Sequence, residues 1–209
     1  MKKYKSIIFD LDGTILDTEK MNFIPLQKLI KEELNKDIPY KDLLKYRANP
    51  GKITLKALGF KDIEKSYSKW VKYVYEYEEG AKLYDGFDEV IKALHSNSIL
   101  CGIASSKMKD QYEIDFLKTG LHIYMKSVVL AEDTENHKPH PEPLLKALEG
   151  LNTEPHYSIY VGDTLSDYKA AKSAGMDFAL ASWGADDSHE IDADYILNEP
   201  KDILHILNI

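Results

Sequence analysis

The chain has 209 residues, 44% of them hydrophobic and 30% charged, and its 11 glycines and 8 prolines form no low-complexity tract. That composition excludes disordered, collagen-like and coiled-coil classes, and the length suits one core domain with a modest insertion. A formal net charge of −8 argues against a general nucleic-acid binder, which needs a basic face.

In chain order, the basic start leads only to Ile7-Ile8-Phe9 before an acid, which is too little apolar sequence for a signal peptide. Residues 5–10 read as a short buried strand ending in acid and glycine. Residues 18–80 read as helices. Met21, Ile24, Leu29, Ile30 and Leu34 recur at helical spacing, and a break at Asn49-Pro50-Gly51 is followed by a stripe of Tyr67, Trp70, Tyr73, Val74 and Tyr77. The stripe reads as packing between helices. Residues 19–82 hold 14 basic and 10 acidic residues, so they carry +4 where the rest of the chain carries −12. This is either a solvated lysine-rich surface or a positive insertion facing an acidic core, which would draw in an anionic substrate.

Beyond residue 82 the pattern alternates. Helix 87–95, strand 99–104, helix 111–118 closed by Gly120, strand 127–131, a helix from Pro141 to about Gly150, strand 158–161, helix 166–174 closed by Gly175, and strands 178–181 and 195–197 are predicted. Such repeats argue for an α/β protein: a Rossmann-like, doubly wound parallel sheet with an inserted α-helical cap. The expected boundaries are 1–16 with 82–209 for the core and 17–81 for the cap. No apolar run approaches the roughly 20 residues that span a bilayer. Cys101, the one cysteine, reads as a small core residue and leaves no internal disulfide. A cytoplasmic protein without membrane or nucleic-acid partners, monomeric or weakly dimeric, is expected.

Ligands of open parallel sheets bind beyond the carboxyl ends of strands, near the switch in strand order. Four predicted strand ends carry polar clusters: Asp10-Leu11-Asp12-Gly13-Thr14, Ser105-Ser106-Lys107, His137-Lys138-Pro139, and Gly162-Asp163-Thr164 with Asp167. Any one could simply cap the next helix; together, in this order, they point to a site. Asp10 and Asp12, two apart in extended chain, share a face, and Gly13 lets the chain turn. With Asp163 and Asp167 they would gather four carboxylates, which calls for a hard divalent cation, and oxygen ligands favour Mg2+. An EF-hand is excluded, since its sixth position would be Ile15 and its twelfth Met21. Lys138 and Ser105 would offset and hold a phosphate dianion.

DLDGTILDT, GIASSK, HKPHPEPL and GDTLSD resemble the four ordered motifs of the haloacid dehalogenase-like hydrolase superfamily, and within it the phosphoglycolate phosphatase and β-phosphoglucomutase-like branch with a helical cap. SAGM followed by Ser182-Trp183-Gly184 resembles the phosphoglycolate phosphatase side. The resemblance implies a Mg2+-dependent phosphatase of a small phosphorylated metabolite, with a sugar-phosphate mutase as the alternative and a noncatalytic phospho-aspartate domain as a remoter one. It implies Asp10 as the nucleophile that becomes an aspartyl-phosphate and Asp12 as the acid and base whose backbone carbonyl also meets the metal. Ser105, Ser106, Gly13 and Lys138 would bind the phosphoryl group, with Lys138 also neutralising Asp10. Asp163 would ligate the metal, with Asp10 and Asp167 completing or supporting the set. The Asp-x-Asp order decides against dehalogenation, because the dehalogenase branch lacks the second acid.

Arg47, the only arginine, suits a carboxylate or second phosphate on the substrate, or else a surface salt bridge. Lys107 could line the cleft. His137 and His140 flank Lys138 beside an oxygen-ligand site, a poor setting for imidazole ligation.

Overall fold

Four consecutive buried residues, Ser6–Phe9, form β1, and the chain then turns through Leu16–Asp17 (β2). The structure, a computed structural model, describes residues 4–46, 51–185 and 191–209. Helices α1 (Glu19–Leu34), α2 (Tyr40–Leu43), α3 (Gly51–Leu58) and α4 (Ile63–Tyr75) follow. After β3 (Lys82–Leu83) and α5 (Phe87–Ser96) come β4 (Leu100–Ala104), α6 (Lys109–Asp115), β5 (Met125–Val129) and α7 (Glu142–Leu151). Strand β6 (Ser158–Gly162), α8 (Leu165–Ser173), β7 (Asp177–Ala181), β8 (Tyr195–Leu197) and α9 (Asp202–Leu207) complete the chain.

Six of the strands make one parallel sheet in the order β5-β4-β1-β6-β7-β8, and β2 and β3 make a separate pair. The sheet is Rossmann-like and doubly wound: from β1 the chain adds strands on one side, then returns to add them on the other. The order therefore switches at β1, and the carboxyl ends beside β1 form the crevice such folds use. Every residue of β1 and β6 is buried, as expected for parallel strands covered on both faces. On one face Ile8 and Tyr160 pack with Leu144, Leu148 and Leu151 of α7 and Ala170 and Ala171 of α8. On the other, Phe9 meets Phe87 of α5 edge to face, with centroids 5.6 Å apart.

The chain divides into two compact units, Met1–Asp17 with Leu83–Ile209, and Thr18–Lys82. Among its described residues the second holds helices and, at its last residue, the start of β3, and it has its own core of Phe23, Leu26, Leu29, Ile30, Leu43, Leu55, Leu58, Phe60 and Trp70. The α4 stripe packs as read: Trp70 is buried and donates its indole N–H to the Asn22 carbonyl at 2.9 Å, with Tyr67, Tyr73 and Val74 against the same core. Tyr77 lies beyond the end of α4.

Three details correct the sequence reading. Ile24 is exposed, and Phe23 and Leu26 take the inward face of α1; 23, 26, 29 and 30 are the positions that complete one helical stripe. The helix expected over 111–118 stops at Asp115 and continues as a 3-10 turn, Leu117–Thr119. There Thr119 donates its hydroxyl back to the Phe116 carbonyl at 2.7 Å, a side-chain bond that competes with helix propagation. The terminal α9 was not expected, because six residues carry too little periodicity to register. Among the described residues no helix is long and apolar enough to cross a membrane.

Candidate active site

Strand register assembles the site. Phe9 pairs with Ile103 of β4 and with Val161 of β6, so Asp10 emerges level with Ala104 and Gly162, the last residues of those strands, one residue before Ser105 and Asp163. The Asp10 amide donates to the Val161 carbonyl at 2.9 Å, and the Ser105 amide to that of Val129 at 3.0 Å. Each polar residue thus hangs from the last ladder bond of a buried strand, which holds its backbone in place.

One oxygen from each of Asp10, Asp163 and Asp167 can lie within 4.8 Å of the others. Lys138 reaches into this group from the loop before α7. Its Nζ lies 3.0 Å from Asp10 Oδ1 and 2.6 Å from Asp167 Oδ1, and it donates to the Tyr160 hydroxyl at 3.0 Å. Burial works to discharge this ammonium, but Asp10 and Asp167 outweigh it and hold it well above the ordinary lysine range. The Tyr160 hydroxyl in turn donates to Asp167 Oδ1 at 3.1 Å or to the Ala104 carbonyl at 2.9 Å.

The carboxylates differ in how well they are compensated. Asp167 is fully buried, and burial alone would raise it; Lys138 and the Thr164 amide and hydroxyl, at 3.0 and 2.6 Å, outweigh that and keep it below the usual carboxylate value. Asp10 goes the other way. Burial dominates, Lys138 opposes it, and Asp167 and Asp12 add repulsion, so its carboxyl rises to about 6. Asp163 is raised still more clearly, by burial and then by Asp167 and Asp10. It accepts one hydroxyl bond, from Thr14 at 3.2 Å.

Three carboxylates facing one ammonium leave negative charge uncompensated, and the cluster's donors are all oxygen. That chemistry fits a hard divalent cation. Asp163 and Asp10 are the under-compensated ligands that such an ion would satisfy, with Asp167 divided between it and Lys138.

The other sequence candidates fall around this centre. Asp12 stands on the turn after β1 with its Oδ1 3.0 Å from Lys107 Nζ. Gly13 has φ +75°, and a Cβ there would lie 2.2 Å from Asp163 Oδ2, so only glycine brings this turn against the third acid. Ser105 is buried and Ser106 exposed. Lys107 does not line an open cleft: it is buried, paired with Asp12 and, at 2.7 Å, with Asp115. His137 and His140 are exposed. Arg47 lies outside the described residues. Cys101 is buried in β4, and burial pushes its thiol up to about 12.

Sequence reasoning missed several supports. Tyr160 is a polar-tipped residue between Ile159 and Val161 of a fully buried strand, a signal that its hydroxyl needs a partner. Asp115 lies on α6 among residues that give no motif. Trp183 donates its indole N–H to the Thr14 carbonyl at 3.0 Å, and a Cβ on Gly184 would fall 1.9 Å from the Gly13 carbonyl oxygen. The turn after β7 is therefore pressed onto the turn that carries Asp12.

The profile of the haloacid dehalogenase-like hydrolases matches residues 7–181. The pyrophosphatase PpaX of Bacillus velezensis is 27% identical over 212 aligned positions, covering 100% of this chain and 98% of that protein. Two solved structures share the fold. A predicted phosphoglycolate phosphatase from Haemophilus somnus superposes with a TM-score of 0.86 at 20% identity, covering 99% of both chains. CbbY of Rhodobacter sphaeroides, in complex with phosphate, superposes with a TM-score of 0.76 at 19% identity, covering 99% of this chain and 100% of that one. With a match that runs from β1 through β7 and the acid-bearing strand ends gathered on one edge of the sheet, the chain belongs to the haloacid dehalogenase-like hydrolase family and is a phosphoric ester hydrolase.

Proposed function

We propose that the chain is a Mg2+-dependent phosphatase of a small phosphorylated metabolite, working through an aspartyl-phosphate on Asp10. The observation that carries this reading is the Lys138 ammonium held between Asp10 and Asp167, with Asp163 completing the acid cluster.

An Asp10 oxygen attacks phosphorus as the bond to the leaving oxygen breaks, and a proton carried by Asp12 goes to that oxygen. Asp12, now a carboxylate, takes a proton from water as the water oxygen attacks phosphorus. The acyl-phosphate bond breaks, inorganic phosphate leaves, and Asp10 is regenerated. Ser105 and the amides beside it hold the transferring group. Lys138 lowers the repulsion between the incoming dianion and Asp10. When bound by Asp10, Asp163, Asp167 and the Asp12 carbonyl, Mg2+ would stabilise charge on the phosphoryl oxygens.

Residues 17–81 serve in this reading as the cap that selects the substrate. The curated relative acts, by its name, on pyrophosphate, so pyrophosphate joins phosphoglycolate and sugar phosphates as candidates. Phosphate release from this panel with and without Mg2+ tests the proposal, alongside mass spectrometry of the quenched enzyme for a phosphoryl group on Asp10. Metal-dependent release that vanishes in Asp10→Asn is expected. Equal turnover by Asp10→Asn would overturn the assignment, and isomer formation without phosphate release would favour a mutase.

A further inference from the structure

The acid and base of the proposed reaction stands on a turn, and turns position side chains less firmly than strands do. What holds Asp12 is a buried ion pair outside the acid cluster. Lys107, its side chain 6% exposed, lies 3.0 Å from Asp12 and 2.7 Å from Asp115, and Asp115 is 1% exposed. Among the described residues no hydrogen-bond donor reaches Asp115 Oδ1. Among the described residues Lys107 is the one cation paired with Asp115, and a buried carboxylate with a single cationic partner holds that partner tightly. The backbone fixes the other end: the Lys107 carbonyl accepts the Ala131 amide at 2.9 Å, tying the segment after β4 to the segment after β5.

We propose that Lys107 and Asp115 form a positioning pair for Asp12, an inference that rests on the phosphatase reading and deepens it. Asp115 anchors the ammonium from the side away from the reacting centre, so Nζ stays beside Asp12 even while Asp12 carries its proton. Lys107 then sets where the Asp12 carboxyl stands when the leaving oxygen needs that proton. Asp115 touches neither the acid cluster nor Ser105, so its influence on the reaction runs through Lys107.

The leaving group separates positioning from phosphate binding. The ratio kcat/KM reports steps up to departure of the leaving group; an alkoxide needs a proton there, whereas p-nitrophenolate leaves without one. In the Mg2+-loaded full chain, Lys107→Met and Asp115→Asn are each expected to lower kcat/KM for an alkyl phosphate by about 10-fold or more, because misplacing a general acid forfeits part of its roughly 10²–10⁴-fold contribution. The fall for p-nitrophenyl phosphate should stay under about 3-fold by the same reasoning. The double variant should cost little more than either single one, since the two act as a unit. Lys107→Arg, which keeps the charge, should recover part of the alkyl-phosphate rate.

Equal losses on both substrates would assign Lys107 to phosphate binding and overturn the inference, as would an Asp115→Asn enzyme with unchanged rates on both. If Lys107→Met fails to fold, Asp115→Asn and Lys107→Arg carry the test. Failure of the phosphatase reading itself would show separately, as activity retained by Asp10→Asn.

Discussion

Asp10→Asn should make the cation-free protein more stable as well as inactive. In the folded chain burial lifts the Asp10 carboxyl from 3.8 to about 6, a difference of about 3 kcal/mol between its neutral and charged forms. The sign follows from proton linkage. Between those values the folded state binds more protons than the unfolded state, so stability falls as pH rises through the window and stays lowered above it. Asparagine has no charged form and escapes the penalty. Below about pH 4 the two proteins should melt together, and by pH 8 the variant should be ahead by up to about 3 kcal/mol, roughly 6–12 °C in Tm for a chain of this size. The assay is thermal unfolding in a chelating buffer from pH 4 to 8, repeated with Mg2+, which should narrow or reverse the gap by compensating the wild-type carboxylate. A variant no more stable than wild type at pH 8, or an offset independent of pH, would refute the argument that Asp10 is an under-compensated buried charge.

Two further outcomes follow from the same geometry. Mg2+ at about 100 times its dissociation constant should raise wild-type stability by about 2.7 kcal/mol, and Asp163→Asn should abolish most of that gain in the same melts while leaving the cation-free fold intact. Gly184→Ala would set a Cβ 1.9 Å from the Gly13 carbonyl oxygen; relieving that overlap should cost about 1–3 kcal/mol and lower turnover by shifting the turn that carries Asp12, as urea unfolding and phosphate release would show.

The amino-acid sequence by itself determined the class of fold and the chemistry at its edge. Short apolar runs ending in acid, serine or glycine, separated by helical periods, admit little besides a parallel sheet with polar strand ends, and i, i+2 spacing puts Asp10 and Asp12 on one side of an extended chain. Residues 23 and 24 show the limit on the helical side: a periodic stripe tolerates a neighbouring position, and only packing chose Phe23 over Ile24. Tertiary structure alone decided which strand ends meet. The register of β1 against β4 and β6 sets Asp10 level with Ala104 and Gly162, one residue before Ser105 and Asp163, and no local pattern encodes register between strands some ninety and a hundred and fifty residues apart. It also decided which charge goes unanswered. Asp10, Asp163 and Asp167 are the same kind of acid in sequence, yet burial and the reach of one lysine push the first two up and hold the third down, because electrostatic free energy depends on distance and on exclusion of water, which only the folded chain supplies.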